Sequence, residues 1–246
     1  MTVLAGKGAL VTGGSRGIGR AIVERLAHDG AAVTFSYVRD GAAAEQVLAA
    51  VAAAGGQAWA VRCDLADGAQ IVKLFDEAER HTGGLNIVVN NAAVVAVGLI
   101  ADTTDEQYDA IMDANAKGTF VAIREAARRL RDNGRLINIS TVNTVAQGAG
   151  ISLYAGSKAA VEQFSMVAAH ELGQRGITVN VVSPGATDTD MLRGANDPAD
   201  VAEMPALSPL GRLGQPADVA DVVAFLAGPD GRWMTAQNLR ASGGGL

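Results

Sequence analysis

Short apolar runs bounded by turn residues alternate with longer stretches that place apolar residues at three- and four-residue intervals, and this alternation narrows the possible folds more than any other feature of the chain. GALVT (8–12), AVTFSY (32–37), QAWAVR (57–62) and NIVVN (86–90) have the length and near-continuous apolarity of strands covered on both faces. Between them, GIGRAIVERLAHDG, AAAEQVLAAVAAAGG and IVKLFDEAERHTGG carry helical periodicity and end in Gly, which readily takes the left-handed conformation that closes a helix. RLINIS, TVNVVS and NLRAS continue the strands. ANAKGTFVAIREAARRL, SKAAVEQFSMVAAHELGQRG and PADVADVVAFLAG continue the helices. Parallel neighbours need helical crossovers, so this order predicts one doubly wound α/β domain over 1–246, with a mainly parallel sheet and helices on both faces.

A chain of 246 residues with 49% hydrophobic residues can bury a large core. Its net charge of −6 opposes binding to phosphate backbones or anionic membranes, so neither nucleic acid nor membrane is an expected partner. The single cysteine, Cys63, excludes an intrachain disulfide and a multi-cysteine metal site; it reads as an inert buried thiol in a reducing, cytoplasmic protein. MTVLAGK runs straight into the first strand pattern, and the apolar stretch 87–101 is broken by Asn90, Asn91 and Gly98, as a strand and loop would be. His28, His81 and His170 fall on separate helices without metal-ligand spacing, so surface or helix-end roles and no metal are expected. The one long irregular region, about 185–215, carries three prolines and reads as a mobile lid over a substrate.

Two segments carry chemistry. TGGSRGIG, Thr12 to Gly19, lies between the first strand and the first helix, where glycines allow close approach of a dinucleotide pyrophosphate and the helix N-terminus attracts its charge. An ordinary tight turn is the competing reading, but strand, turn and amphipathic helix in register favour a dinucleotide. In YAGSK, Tyr154 and Lys158 stand at i and i+4 and share one face of a helix. A nearby ammonium stabilises a phenolate, so the pair predicts a lowered tyrosine pKa and a proton shuttle at a carbonyl oxygen. The competing reading is an amphipathic helix with an exposed lysine and a half-buried tyrosine.

Gly13, Gly17 and Gly19 give G-x-x-x-G-x-G rather than the common G-x-G-x-x-G. With NNAA at 90–93, Asn115 in DANAKGTF, YAGSK at 154–158 and SPGATDT at 183–189, the whole chain resembles the short-chain dehydrogenase/reductase family, nearest in pattern to its 3-oxoacyl carrier-protein reductase-like members. The resemblance implies a Rossmann-type fold and an NADP(H)-dependent oxidoreductase interconverting a ketone and a secondary alcohol by hydride transfer. It implies four catalytic residues, Asn115, Thr141, Tyr154 and Lys158. Thr141 stands thirteen positions before Tyr154, where the family usually has Ser, and Lys158 also grips the nicotinamide ribose. Asn115 holds a helix distortion and a water leading to the lysine, unless it simply caps the following helix. Gly13, Ser15, Arg16, Gly17, Ile18, Gly19, Ser36, Tyr37, Arg39, Asp64, Leu65, Asn91, Pro184, Gly185, Thr187 and Thr189 join Tyr154 and Lys158 as implied cofactor contacts. Ala93 replaces the family's Gly and Thr187 a usual aliphatic residue. The family commonly forms dimers or tetramers, which implies a homo-oligomer and favours a tetramer.

The second strand ends at Ser36, where NAD enzymes commonly carry an acid for the ribose, so NADP(H) is the expected cofactor. Arg16 and Arg39 can pair with its 2′-phosphate; Asp40 either repels it or is neutralised by Arg39 and turned outward. Asp64 either lies beside adenine or caps the next helix. Val94, Val95, Val97, Leu99, Met191 and Leu192 suit an apolar substrate wall, with Asn143 and Gln147 as polar contacts. Arg124, Arg128, Arg129 and Arg131 read as solvent-exposed or interfacial. A sugar, polyol or steroid alcohol dehydrogenase is the alternative enzyme. A catalytically silent dinucleotide-binding regulator is the alternative of another class, against which the Tyr154/Lys158 pair argues.

Overall fold

The computed structural model describes residues 2–245. Its strands β1 (Gly8–Val11), β2 (Ala32–Tyr37), β3 (Gln57–Arg62), β4 (Ile87–Asn90), β5 (Arg135–Ile139), β6 (Thr178–Pro184) and β7 (Gln237–Ala241) form one sheet in the order β3-β2-β1-β4-β5-β6-β7. Every neighbouring pair is parallel. The crossovers are α1 (Gly17–His28), α2 (Gly41–Ala53), α3 (Gly68–Thr82), α4 (Asp105–Ile111), α5 (Gly118–Arg129), α6 (Ser152–Leu172), α7 (Asp190–Ala195), α8 (Pro198–Glu203) and α9 (Pro216–Ala227).

Successive strand residues point to opposite faces, and each face has its own core. Ala9, Val11, Val33 and Phe35 pack with α1, α2 and α9, whereas Leu10, Val88, Leu136 and Val179 pack with α3, α5 and α6. Full burial of a side chain such as Phe35 or Leu10 stabilises the fold by about 1.5–3 kcal/mol. Winding reverses between β1 and β4, which opens a crevice at the carboxyl ends of those strands.

Local chemistry sets the helix ends. Asp67 starts α3 by accepting from Ala69 N (2.9 Å) and Gln70 N (3.3 Å), and Gly83 ends it at φ 72°. Asp67, not Asp64, is thus the cap of that helix. The 185–215 region is more regular than its sequence suggests. Thr189 caps α7 through Leu192 N (3.2 Å), and Asp197 with Pro198 at the first helical position starts α8. Helices of six residues are too short to show periodicity. A capping box of Thr104 and Gln107 starts α4, a helix absent from the alternation read above. It runs through a π-helical turn, Met112–Lys117, into α5.

Further expectations meet the structure here. Arg124, Arg128 and Arg129 converge on the buried Glu125, and Arg129 also reaches Asp76 (2.5 Å) and Glu79 (3.1 Å). Arg131 donates to Gly83 O, so the cluster ties α3 to α5 within the chain rather than facing solvent alone. His81, near the end of α3, stacks on Trp59 with centroids 5.2 Å apart. Cys63 is buried, and burial followed by Asp64 and Asp67 pushes its thiol up to about 12, as an inert cysteine requires. Among the described residues, no helix is long and apolar enough to cross a membrane.

Candidate active site

The glycine turn is built around close backbone approaches. Gly13 and Gly17 sit at φ 67° and 52°, and a Cβ on Gly19 would collide with Gly13 O. Thr12 clasps the two strands at the switch point: its Oγ1 accepts from Asn91 N (2.9 Å) and Ala92 N (3.1 Å). Asn91 returns the contact, its Nδ2 donating to Thr12 O (3.0 Å) and Gly13 O (3.2 Å). The clasping role of Thr12 is not evident in the sequence, where only the glycines stand out. Ser15 is buried in the turn, Ile18 packs on the core, and α1 has no acidic residue in its first turn. The turn therefore presents a helix N-terminus without a repelling carboxylate of its own.

Ser36 supports this turn from behind. Its buried Oγ accepts from Gly13 N (3.1 Å) and its carbonyl from Gly14 N (2.8 Å). Tyr37, the next residue, takes the opposite side and is only half-buried. Tyr37 O accepts from Cys63 N (2.8 Å), which brings the exposed Asp64 to the same sheet edge, while Leu65 is buried in the core. Asp40 caps α2 through Ala43 N (2.9 Å) and lies 3.5 Å from Arg16, so its partner is Arg16 and not Arg39. That pair is about half exposed and contributes on the order of 0–1 kcal/mol, too little to hold Arg16 against a better anion. Arg39 is exposed.

Across the crevice, Pro184 ends β6 and Gly185 N donates to Ala241 O (3.0 Å). Thr187 is buried, donating to Gly185 O (3.0 Å). Thr189 reaches the glycine turn: a Cβ on Gly17 would lie 3.3 Å from its Cγ2. The turn and the 185–189 segment therefore face each other closely.

The third group of residues is organised by α6. Tyr154 and Lys158 lie on one face of it, and the Thr141 hydroxyl just past β5 lies close enough to Tyr154 to act on its phenol. Lys158 is buried, and its Nζ donates to Ile139 O (2.8 Å). Burial lowers its pKa to about 8. Burial also raises the Tyr154 pKa, with the Thr141 hydroxyl opposing it in part. The ammonium-driven lowering expected from i,i+4 spacing is therefore not what this structure shows; desolvation disfavours phenolate and ammonium alike, and it wins.

Asn115 sits in the π-helical turn and is fully buried. Its Oδ1 accepts from Val94 N (2.8 Å), and its Nδ2 donates to Val94 O (2.8 Å) and Ser157 Oγ (3.1 Å). It caps no helix; it pins the loop after β4 to the distorted turn and to α6. Ser157, within YAGSK, is a partner the sequence reading passed over.

The proposed substrate wall is divided. Val95, Val97 and Met191 line one cavity of about 340 Å³ with Asp190, Gly194 and Ala195. Leu99 and Gln147 line another of about 370 Å³ with Ile100, Ile151 and Ala155. Gly98 N donating to Gly150 O (2.8 Å) joins the two loops that bound them. Val94 is exposed, while the backbone amides of Asn143 and Leu192 serve as donors to Thr141 and Thr189.

Comparison with known proteins agrees with this arrangement. A family model described as enoyl-(acyl carrier protein) reductase matches residues 13–245. An uncharacterised oxidoreductase of Methylorubrum extorquens is 43% identical over 246 residues, 99% of each chain. A trihydroxynaphthalene reductase of Colletotrichum orbiculare is 39% identical over 252 residues, covering 98% of this chain and 89% of that protein. The solved structure of a short chain dehydrogenase from Burkholderia cenocepacia in complex with NADP superposes with a TM-score of 0.94 at 41% identity over 99% of both chains. Since these matches run from the glycine turn to the last strand, the chain belongs to the short-chain dehydrogenase/reductase family of oxidoreductases.

Proposed function

We propose that this protein is an NADP(H)-dependent reductase of a neutral ketone, working through Asn115, Thr141, Tyr154 and Lys158. The observation that carries the reading is the placement of Tyr154 and Lys158 one helical turn apart on α6, with the Thr141 hydroxyl beside the Tyr154 phenol, at the strand ends that also hold the glycine turn. The residues present fit a dinucleotide: the turn has the close approaches that a Cβ would fill, at a helix N-terminus. Gly13, Ser15, Gly17, Ile18, Gly19 and Asn91 would hold the pyrophosphate side. Tyr37, Asp64 and Leu65 would flank the adenine end, behind which Ser36 shapes the turn. Pro184, Gly185, Thr187 and Thr189 would border the nicotinamide end. The related Burkholderia structure contains NADP, in keeping with this choice.

When bound, the dinucleotide supplies or accepts the hydride at the carbonyl carbon. Tyr154 holds the proton for the carbonyl oxygen, and the Thr141 hydroxyl lies beside that phenol. A raised Tyr154 pKa keeps the phenol protonated at neutral pH, which suits an acid and therefore the reductive direction. Lys158 has three donors, of which Ile139 O takes one, leaving others for ribose hydroxyls. The apolar cavity walls suit a ketone on a largely apolar skeleton, and Asp190 beside Met191 disfavours an anionic one. The motif pattern favours a 3-oxoacyl thioester; the naphthalene-type relative favours a bulkier cyclic ketone.

Turnover of a panel of 3-oxoacyl thioesters, cyclic ketones, sugars and steroids, read by nicotinamide absorbance, tests this reading. We expect reduction of a neutral ketone, with kcat/KM at least about tenfold higher for NADPH than for NADH, because Arg39 and Arg16 give charge-assisted bonds to a 2′-phosphate. Arg39→Ala should narrow that ratio, and equal use of NADH would contradict it. No turnover across the panel, with NADPH bound, would leave a binding protein.

We also read 185–215 as a lid that closes over the substrate and excludes water. Protease cleavage within it should slow when NADPH and a substrate analogue are both present; unchanged cleavage would count against closure. The single buried Cys63 suits a cytoplasmic setting, and the family resemblance favours a homotetramer, which a monomeric mass on sizing would contradict.

A further inference from the structure

Glu162 follows Lys158 by four residues and Tyr154 by eight, so it extends their face of α6 by another turn. It is half-buried, and both hydrogen bonds of its carboxylate are with hydroxyls. Oε1 accepts from Ser140 Oγ at 2.6 Å and from Thr144 Oγ1 at 2.8 Å. These two residues bracket Thr141. Ser140 precedes it in the extended segment after β5, and Thr144 closes the 3-10 turn that Thr141 itself caps, with Thr141 Oγ1 accepting from Asn143 N (3.2 Å). Thr144 Oγ1 also lies 3.1 Å from Thr141 O. One carboxylate oxygen therefore fastens both sides of Thr141 to the helix that carries Tyr154.

We propose that Glu162 is a positioning residue for ketone reduction: by gripping Ser140 and Thr144 together it aims the Thr141 hydroxyl at Tyr154. Hydrogen bonds to a carboxylate are stronger than those between neutral groups, which suits a residue that must fix a turn rather than merely fill space. The segment needs such a fixture because it leaves the sheet at Ile139, and a 3-10 turn alone is weakly held. Asn138, still on β5, donates to Ser165 Oγ (2.8 Å); past it, Lys158 to Ile139 O and Tyr154 beside Thr141 are, among the described residues, the ties besides Glu162 between this segment and α6. Both belong to the catalytic set, so Glu162 is the tie that can be altered without touching the reacting groups.

The inference rests on the role given above to Thr141, and the test separates the two. Glu162→Ala should lower kcat for ketone reduction by about tenfold or more, with NADPH affinity changed less than about twofold, because the lost geometry acts only at the reacting centre. Glu162→Gln keeps an oxygen that can accept both hydroxyls and should restore most of the loss. In a Thr141→Val background, Glu162→Ala should add less than about twofold, since a residue acting through Thr141 has nothing left to position. Should Glu162→Ala fail to fold, Thr144→Val read in the same two backgrounds carries the test, with a smaller loss that again vanishes on Thr141→Val. Severe loss in Thr141→Val with multiplicative loss in the double variant would overturn the role of Glu162 alone. Full turnover in Thr141→Val would overturn the role of Thr141 first, and wild-type kcat in Glu162→Ala would overturn the inference directly.

Discussion

Replacing Tyr154 by Phe should cut ketone reduction by at least about a hundredfold while NADPH affinity stays within about twofold, the pattern of a lost general acid. The ring is half-buried, and Phe preserves its packing, so the change removes the hydroxyl and little else. What goes with it is the transferable proton and the polar contact with Thr141. Because burial holds the phenol above its usual pKa, the wild-type enzyme should keep this proton through the neutral range, and reduction should not weaken there for want of the acid form. The reverse reaction needs the phenolate and should speed up as pH rises. Steady-state rates with NADPH titrations on both proteins check this, and wild-type turnover in the variant would refute the proton-transfer role.

Lys158→Met should damage more than turnover. It removes the ammonium and, with it, donors available to a ribose, so turnover should fall by at least about a hundredfold and NADPH affinity by about tenfold. It also leaves Ile139 O without the 2.8 Å donor it has in the interior. An orphaned buried acceptor costs about 1–3 kcal/mol, so the melting temperature should drop as well. The contrast between the two variants is the informative part: Tyr154→Phe separates chemistry from binding, and Lys158→Met does not. Lys158 titrates near 8 in this structure, so its ammonium is depleted above that pH. An intact NADPH affinity in Lys158→Met, with the fold verified by circular dichroism, would remove its ribose role.

Much of this was legible in the residues because local patterns carry it. Continuous apolar runs such as AVTFSY mark strands covered on both faces, and β2 spans that run, Ala32–Tyr37. The Gly13–Gly19 spacing and the i,i+4 relation of Tyr154 and Lys158 are likewise local. What escaped depends on distant partners or on burial. The helix distortion at Asn115 was implied by the family resemblance alone; what escaped is its cause, the hydrogen bonds to Val94, 21 residues earlier. The sequence offers Asp40 either as a repelling charge or as a partner of its chain neighbour Arg39, but folding brings it to Arg16. The pKa of Tyr154 was read from the charge nearby, whereas desolvation decides its direction. Glu162 looks like any polar residue on an amphipathic helix until Ser140 and Thr144 are seen against it. α7 and α8 escaped for a simpler reason: six residues make fewer than two turns.

The most direct test of the central claim follows the hydride itself. A ketone from the panel is reduced with NADPH carrying deuterium at the transferable nicotinamide position, and the alcohol is analysed by mass spectrometry and NMR. The account predicts one deuterium per product molecule, on the carbinol carbon, with one NADPH consumed for each alcohol formed. Alcohol formed without that label, or NADPH bound and never oxidised with any ketone, would contradict it.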